Sequence, residues 1–117
     1  MTERTILHYL EDILKALESI QDYVKNMDFD SFKVDKKTIR ATEREFEIIG
    51  ESVKKLPDSL TSQYPDIPWR AIAGMRDRLI HHYWDTDKEI VWKTIHESIP
   101  EIERVIVKII RNTNQKQ

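Results

Sequence analysis

Apolar residues recur every three or four positions along four stretches of the chain. That spacing places them on one face of an α-helix, so it predicts amphipathic helices. The first helix is predicted over residues 3–27, with Thr2 as its cap, and the second over residues 36–56, capped by Asp35. Residues 28–35 break the pattern and are expected to form a loop pinned by its phenylalanines. The two apolar faces contain Ile6, Leu10, Ile13, Leu17, Ile20, Val24 and Met27, and Ile39, Thr42, Phe46, Ile49, Val53 and Leu56.

Prolines mark the borders of the third helix. Pro57 ends the second helix, and residues 58–64 are expected to form a short helical turn. Pro68 suits the first turn of the next helix, where a missing amide donor does no harm. The faces of this third helix are predicted to carry Trp69, Ile72, Met75 and Leu79.

The fourth helix is predicted from a capping box. Glu89 follows Thr86 by three residues, so the helix should start near Asp87 and reach Arg111. Pro100 lies inside this run and should kink or split it, and the polar tail 112–117 is expected to fray. Its apolar face contains Val91, Ile95, Ile99, Ile102, Ile106 and Ile109.

Length and composition narrow the class of protein. The 117 residues fit a single domain, 1–117, and the short connections predict an all-α, antiparallel bundle of four to five helices. The formal net charge of −2 argues against a generally basic nucleic-acid-binding protein but allows a local basic patch. The absence of cysteine excludes disulfides and thiol chemistry. No apolar run is long enough to span a membrane and no signal-peptide pattern is present, so a cytoplasmic location is expected.

The segment 74–83 carries the residues best suited to chemistry. Arg76 can bind a phosphate through paired N–H donors, and His81 can move protons near neutral pH. Asp77 precedes His81 by four residues, within reach to orient the imidazole. Arg76 and His81 diverge by roughly 140° around a straight helix. They could converge if the helix ends or kinks near His81, if the arginine side chain curls round, or if two copies pair. We favour a symmetric dimer.

Simpler interpretations exist for each of these groups. On spacing alone, Arg76, Asp77 and Arg78 could form a solvated charge cluster. Gly50 is expected to allow close approach of another helix, while the three tryptophans are expected to pack in the core or an interface. No metal-ligand spacing or glycine-rich phosphate loop is found in the sequence, so no cofactor is expected. The basic residues that could contact phosphates, or form a solvated helix face, are Arg40, Arg44, Lys54 and Lys55.

Several segments together resemble the HepT-like toxins, also called the DUF86 family, within the HEPN group of helical ribonucleases. The resemblance covers almost the whole chain, and its strongest part is an R-x4-H-x-Y pattern. In chain order, the matching residues are 9–13, 47–51, 64–69 and 72–76, followed by Arg76, His81 and Tyr83.

This resemblance implies a dimer of helical bundles whose two motifs face a shared cleft. It implies a metal-independent endoribonuclease that acts as a toxin on RNA, with transfer RNA as a type of target. Arg76, His81 and Asp77 would form the catalytic set. A minimal nucleotidyltransferase antitoxin would add AMP to Tyr83, blocking the cleft by bulk and negative charge. Further RNA contacts are expected from Arg78, His82 and Arg44.

Two positions depart from the commonest family pattern. Asp77 stands where asparagine is frequent, which retains hydrogen bonding towards His81 but adds negative charge near the phosphate. His82 stands where glycine is frequent and adds a second proton carrier. The alternative function is therefore a non-catalytic helical dimer that binds a nucleotidyltransferase through Arg76 and Tyr83. A purely structural helical dimer is the third hypothesis.

Overall fold

The computed structural model describes residues 2–80 and 85–115, without the side chains at 79, 80, 85 and 86. Within this part every regular element is helical, which confirms the predicted all-α class. None of the described helices is both long and apolar enough to cross a membrane. The elements are α1 (Glu3–Tyr23), α2 (Phe29–Val34), α3 (Lys36–Lys55), α4 (Asp58–Thr61), α5 (Trp69–Ala73), α6 (Met75–Ile80), α7 (Asp85–Lys93), a π-helical turn (Thr94–Ser98) and α8 (Ile99–Gln115).

The long helices form the body of a helical bundle. α1 packs against both α3 and α8, while α5 and α6 lie on α3, and the short α2 contacts α3 and α7. The apolar faces predicted from the sequence meet at the centre, apart from Ile6, Met27, Val53 and Trp69, which are only partly buried, and Leu79, whose side chain lies outside the described part. Each fully buried aliphatic side chain stabilises the bundle by about 1.5–3 kcal/mol. The fully buried residues include Leu10, Leu17, Ile20, Ile49, Ile106 and Ile109.

The predicted caps of the first two helices are confirmed, and a further cap, at Asp28, starts a helix that the sequence pattern missed. The side chain of Thr2 accepts from the Thr5 amide at 3.1 Å, and that of Asp35 accepts from the Thr38 amide at 3.0 Å. Residues 28–35 were expected to form a loop, but most of them form α2. Six residues are too few for a helical period to show in the sequence. The prediction that phenylalanine pins this segment is confirmed, because Phe32 is fully buried.

Three predicted helix ends are wrong. α1 ends at Tyr23 rather than at residue 27, and the left-handed conformation of Asn26 (φ 66°) prevents its continuation. α7 already contains Asp85 and Thr86, so the predicted capping box does not start it. α8 extends to Gln115, well into the tail that was expected to fray, because Thr113 is buried against the body. Residues 116 and 117 lie outside the described part.

The predicted interruption near Pro100 takes the form of a π-helical turn just before it. Proline has no amide hydrogen and cannot donate to the carbonyl four residues back. The turn Thr94–Ser98 shifts the hydrogen-bond register by one residue, so that the Ile99 amide donates to the Thr94 carbonyl. Pro100 then falls in the first turn of α8, where its missing donor is tolerated.

The third predicted helix is two short helices rather than one. Gly74 separates α5 from α6, and its amide donates to the carbonyls of Arg70 and Ala71. Trp69 anchors the start of α5, since its Nε1 donates to the carbonyls of Thr61 at 3.2 Å and Tyr64 at 3.1 Å. This confirms a packing role for Trp69. Trp92 is confirmed in the same role by its ring contact with Phe32, whereas Trp84 lies outside the described residues.

Candidate active-site cleft

α3 and α5 cross at a contact that only glycine permits. A Cβ atom added at Gly50 would lie 2.8 Å from the backbone carbonyl oxygen of Ala73. Non-bonded carbon and oxygen atoms do not approach that closely, so any other residue here would force the backbone of α5 to move. The prediction that Gly50 allows close approach of another helix is therefore confirmed. The crossing also sets the position of the segment that follows Ala73. Arg76, in the first turn of α6, is brought over Glu47, one turn before Gly50 on α3.

Glu47 joins the two arginines that flank the cleft. Its Oε2 lies 3.4 Å from Nε of Arg76, and its Oε1 lies 3.2 Å from a terminal nitrogen of Arg44. Both guanidinium groups remain at the surface, with 44% of the Arg76 side chain and 64% of the Arg44 side chain exposed. A guanidinium has five N–H donors, so pairing with one carboxylate leaves several for another anion. The carboxylate therefore orients two cations that can still bind phosphate.

Asp77 is a second carboxylate beside Arg76. Its Oδ1 is 3.8 Å from a terminal nitrogen of Arg76, and 74% of its side chain is exposed. The guanidinium of Arg76 is thus flanked by two carboxylates from different helices. Three acidic and two basic side chains line the cleft, and Arg44 at its edge adds a third cation, so the cleft has no net positive charge to attract a polyanion. Its lining residues are Glu47, Gly50, Glu51, Lys54, Ala73, Arg76 and Asp77.

The sequence-predicted site residues do not all lie together. Arg78 does not line the cleft. Its side chain is directed to α7 instead, where a terminal nitrogen lies 3.9 Å from Oδ1 of Asp87. His81, His82 and Tyr83 lie outside the described residues, so the pairing of Asp77 with His81 stays a prediction. Arg44 and Arg76, 32 positions apart in the sequence, are brought together by the fold.

Sequence reasoning missed the role of Glu47. Its three-residue spacing from Arg44 is the usual separation of an ion pair on a helix surface and could have indicated that half of the contact. The contact with Arg76 has no local signal, because it depends on where α5 and α6 cross α3.

Comparison with known proteins places the chain in a family. The model of the family described as "Ribonuclease HepT-like" matches residues 13–109. A protein named "Probable ribonuclease HepT" from Thermococcus cleftensis is 42% identical over 107 residues, covering 92% of this chain and 97% of that protein. A protein named "Putative RNase MJ0125" from Methanocaldococcus jannaschii is 41% identical over 116 residues, covering 99% of this chain and 100% of that protein. No solved structure matches. The chain therefore belongs to the HepT-like ribonuclease family.

Proposed function

We propose that this protein is an endoribonuclease that cleaves RNA without a metal ion. The observation that carries the proposal is that Arg76, exposed at the surface just after the tight crossing of α3 and α5, is oriented by Glu47. A cation held in this way can stabilise charge that develops on a phosphate without reorganising during the reaction. Membership of the ribonuclease family and the R-x4-H-x-Y pattern support the same reaction class.

The proposed reaction is an intramolecular displacement at phosphorus. The ribose 2′-oxygen bonds to the adjacent phosphorus while the bond from phosphorus to the 5′-oxygen breaks. The products are a 2′,3′-cyclic phosphate and a 5′-hydroxyl. His81 takes the proton from the 2′-hydroxyl or gives one to the leaving oxygen, and Asp77 orients its ring. Arg76 binds the non-bridging oxygens. In a symmetric dimer, two copies of the motif would supply both proton transfers to one cleft.

We further propose that the protein is the toxin of a toxin–antitoxin pair and acts in the cytoplasm on RNA, with transfer RNA as the target class. Its partner would be a minimal nucleotidyltransferase antitoxin that transfers AMP from ATP to the hydroxyl oxygen of Tyr83, with release of pyrophosphate. The adenylyl group adds bulk and negative charge beside the cleft, which would exclude the RNA backbone. The family resemblance and the tyrosine two residues after His81 support this part of the proposal.

A cleavage assay with EDTA present tests the reaction. We expect wild-type protein to cut RNA and to leave cyclic phosphate ends. Arg76→Ala should lower kcat by about 100- to 1000-fold, since it removes a preorganised charge-stabilising group. Arg104→Ala is the matched control, because Arg104 is an exposed arginine paired with Glu101 on α8, away from the cleft. Loss of cutting in EDTA, or full activity of His81→Ala, would contradict the mechanism.

One observation favours the second candidate, a non-catalytic dimer that binds the nucleotidyltransferase. Arg76 already contacts carboxylates of Glu47 and Asp77, which reduces its attraction for phosphate. Co-expression of the two proteins, followed by intact-mass measurement, separates the cases. An added AMP mass that disappears in Tyr83→Phe, together with RNA cleavage by unmodified protein, supports the toxin. A stable complex without either result supports the binding module.

A further inference from the structure

A second concave surface, which we call the α3 groove, lies where α2, the start of α3 and α7 meet. Its volume is about 450 Å³. Every ionisable side chain that lines it is a cation, although the chain as a whole carries a net charge of −2. Such a local excess of one sign attracts anions much more than the average surface does. The lining residues are Lys33, Val34, Lys36, Ile39, Arg40 and Lys88.

Two of these cations are available to a ligand at once. Lys36 and Arg40 are exposed and lie one turn apart on the same side of α3. Among the described residues, neither forms an ion pair with a carboxylate, in contrast to Arg44 and Arg76 in the cleft. An exposed cation without a carboxylate partner can bind an anion without first breaking an existing contact.

The other two cations also hold the groove together. Lys88 donates from Nζ to the backbone carbonyl of Lys33 at 3.1 Å, which ties α7 to the end of α2. An ammonium group has three donors, so two remain for a ligand. Lys33 lies 5.7 Å above the ring of Phe29 and 3.7 Å from Asp30, which neutralises part of its charge. The groove therefore contains two cations that are unpaired within the described part of the chain and two that are partly engaged.

A row of cations on α3 leads from the groove towards the cleft. Lys36, Arg40 and Arg44 follow one another at four-residue intervals, and Arg44 reaches Arg76 through Glu47. Eight residues of helix rise by about 12 Å, so the cations form a row rather than a point. A row of this kind fits a ligand whose negative charges repeat along a line, as phosphates do along an RNA strand. A single small anion would engage only part of it.

We propose that the α3 groove binds the sugar–phosphate backbone of the RNA strand next to the scissile linkage. This inference rests on the proposed ribonuclease function and names the surface that supplies substrate affinity. The cleft around Arg76 contributes little attraction, since Glu47 and Asp77 already pair with the Arg76 guanidinium. Val34, which is 72% exposed within the groove, offers an apolar surface for a ribose or base. Phosphate contacts of this type are independent of base sequence.

The double variant Lys36→Gln/Arg40→Gln tests the groove, because glutamine keeps helix propensity and removes two charges. Lys15→Gln/Lys108→Gln is the matched control, with the same change of charge at exposed positions on α1 and α8. Binding of a short labelled single-stranded RNA is measured by fluorescence anisotropy at several salt concentrations. The His81→Ala background prevents cutting during the measurement. Melting curves of all variants report on folding.

We expect Kd of the groove variant to rise about tenfold. The slope of log affinity against log salt should become less negative by about 1.4, since each phosphate contact on a single strand contributes about 0.7. With His81 intact, KM for RNA cleavage should rise about tenfold. The control variant should match the parent protein in Kd, slope and KM.

Three results would contradict the proposal that the α3 groove binds RNA. They are an unchanged Kd and salt slope in the double variant, an equal loss of RNA affinity in the control variant, or no RNA binding by the parent protein. The same experiments distinguish an error in the groove inference from an error in the ribonuclease proposal. If Arg76→Ala abolishes cleavage while the groove variant matches wild type, only the groove inference is wrong. If RNA binding depends on the groove but no RNA is cut, the ribonuclease proposal is wrong.

Discussion

The Arg76 cleft and the α3 groove lie along the same helix but hold their cations in opposite ways. In the cleft, Glu47 contacts Arg44 and Arg76, and Asp77 adds a second carboxylate. These partners orient the guanidinium groups and also cancel much of their charge. In the groove, Lys36 and Arg40 are unpaired among the described residues and keep their full attraction for anions. Orientation and attraction are thus supplied by different parts of α3.

The two regions also differ in how far they depend on tertiary packing. The cleft exists because α5 crosses α3 at Gly50, where the nearest atom is backbone. The two unpaired cations of the groove, Lys36 and Arg40, follow from residue spacing on one helix, whereas Lys33 from α2 and Lys88 from α7 complete its lining. Changes in packing should therefore damage the cleft more than the groove.

Substitution at Gly50 should give the largest effect. In Gly50→Ala the added Cβ would overlap the Ala73 carbonyl oxygen, and displacing the backbone costs about 1–3 kcal/mol. Alanine also favours the helix by about 1 kcal/mol over glycine, which offsets part of that cost. We expect the Tm of Gly50→Ala to fall. Gly50→Val should overlap more severely and lower Tm further. Because α5 must shift, Arg76 moves with it, and kcat for RNA cleavage should fall by about 100-fold.

Gly74→Ala is the control for that substitution. A Cβ at residue 74 would meet the Arg70 carbonyl oxygen at 3.6 Å, an ordinary contact, and its φ of −91° suits any residue. We expect its Tm and kcat to stay close to wild type. RNA affinity of the Gly50 variants should change less than kcat. An equal loss of affinity and turnover would show that the two regions are not separable.

A smaller effect is expected from Glu47→Gln, which tests orientation against charge. Glu51→Gln is its partner variant, because Glu51 lines the same cleft one turn further along α3. Both changes remove one negative charge and should strengthen RNA binding slightly. Only Glu47→Gln releases Arg76, so it alone should lower kcat, by about tenfold. Partial rescue of kcat by Glu47→Asp would support positioning, whereas similar kcat values for the two glutamine variants would contradict it.

The smallest effect is expected on thermal stability, from a substitution of Asp35, which caps the start of α3 beside the groove. Hydrogen bonds from the Thr38 backbone amide and from the Thr38 side chain lower the pKa of Asp35 below its usual 3.8. A lowered folded-state pKa means that its stabilisation is present above pH 4 and is lost as pH falls through the folded value. Asp35→Asn keeps an acceptor at the cap but removes the titration.

Thermal melts between pH 2 and 6 check this prediction. The Tm of wild type should exceed that of Asp35→Asn above about pH 4, because a carboxylate also interacts favourably with the helix N-terminus. The difference should shrink as the solution becomes more acidic. A constant difference across the range would show that the carboxylate charge at this cap does not matter.

Helix periodicity revealed most of the bundle because each apolar face is a local property of the sequence. α3 was predicted within one residue of its observed end at Lys55, and the predicted face of the last helix, from Val91 to Ile109, is buried throughout. The helix boundaries that were predicted wrongly have local causes that the spacing of apolar residues does not reveal. α2 is too short to show a period, Asn26 ends α1 through its backbone conformation, and Gly74 divides the motif helix.

The sequence by itself determined the helical class, the buried faces, the caps at Thr2 and Asp35, and the family to which the chain belongs. Those features depend on residue spacing within a few turns and on matching residues in order. Only the tertiary structure decided that Glu47 holds Arg44 and Arg76 together and that Lys88 joins the cations of α3. Contacts between distant residues depend on where helices cross, and here one crossing was set by the absence of a side chain at Gly50.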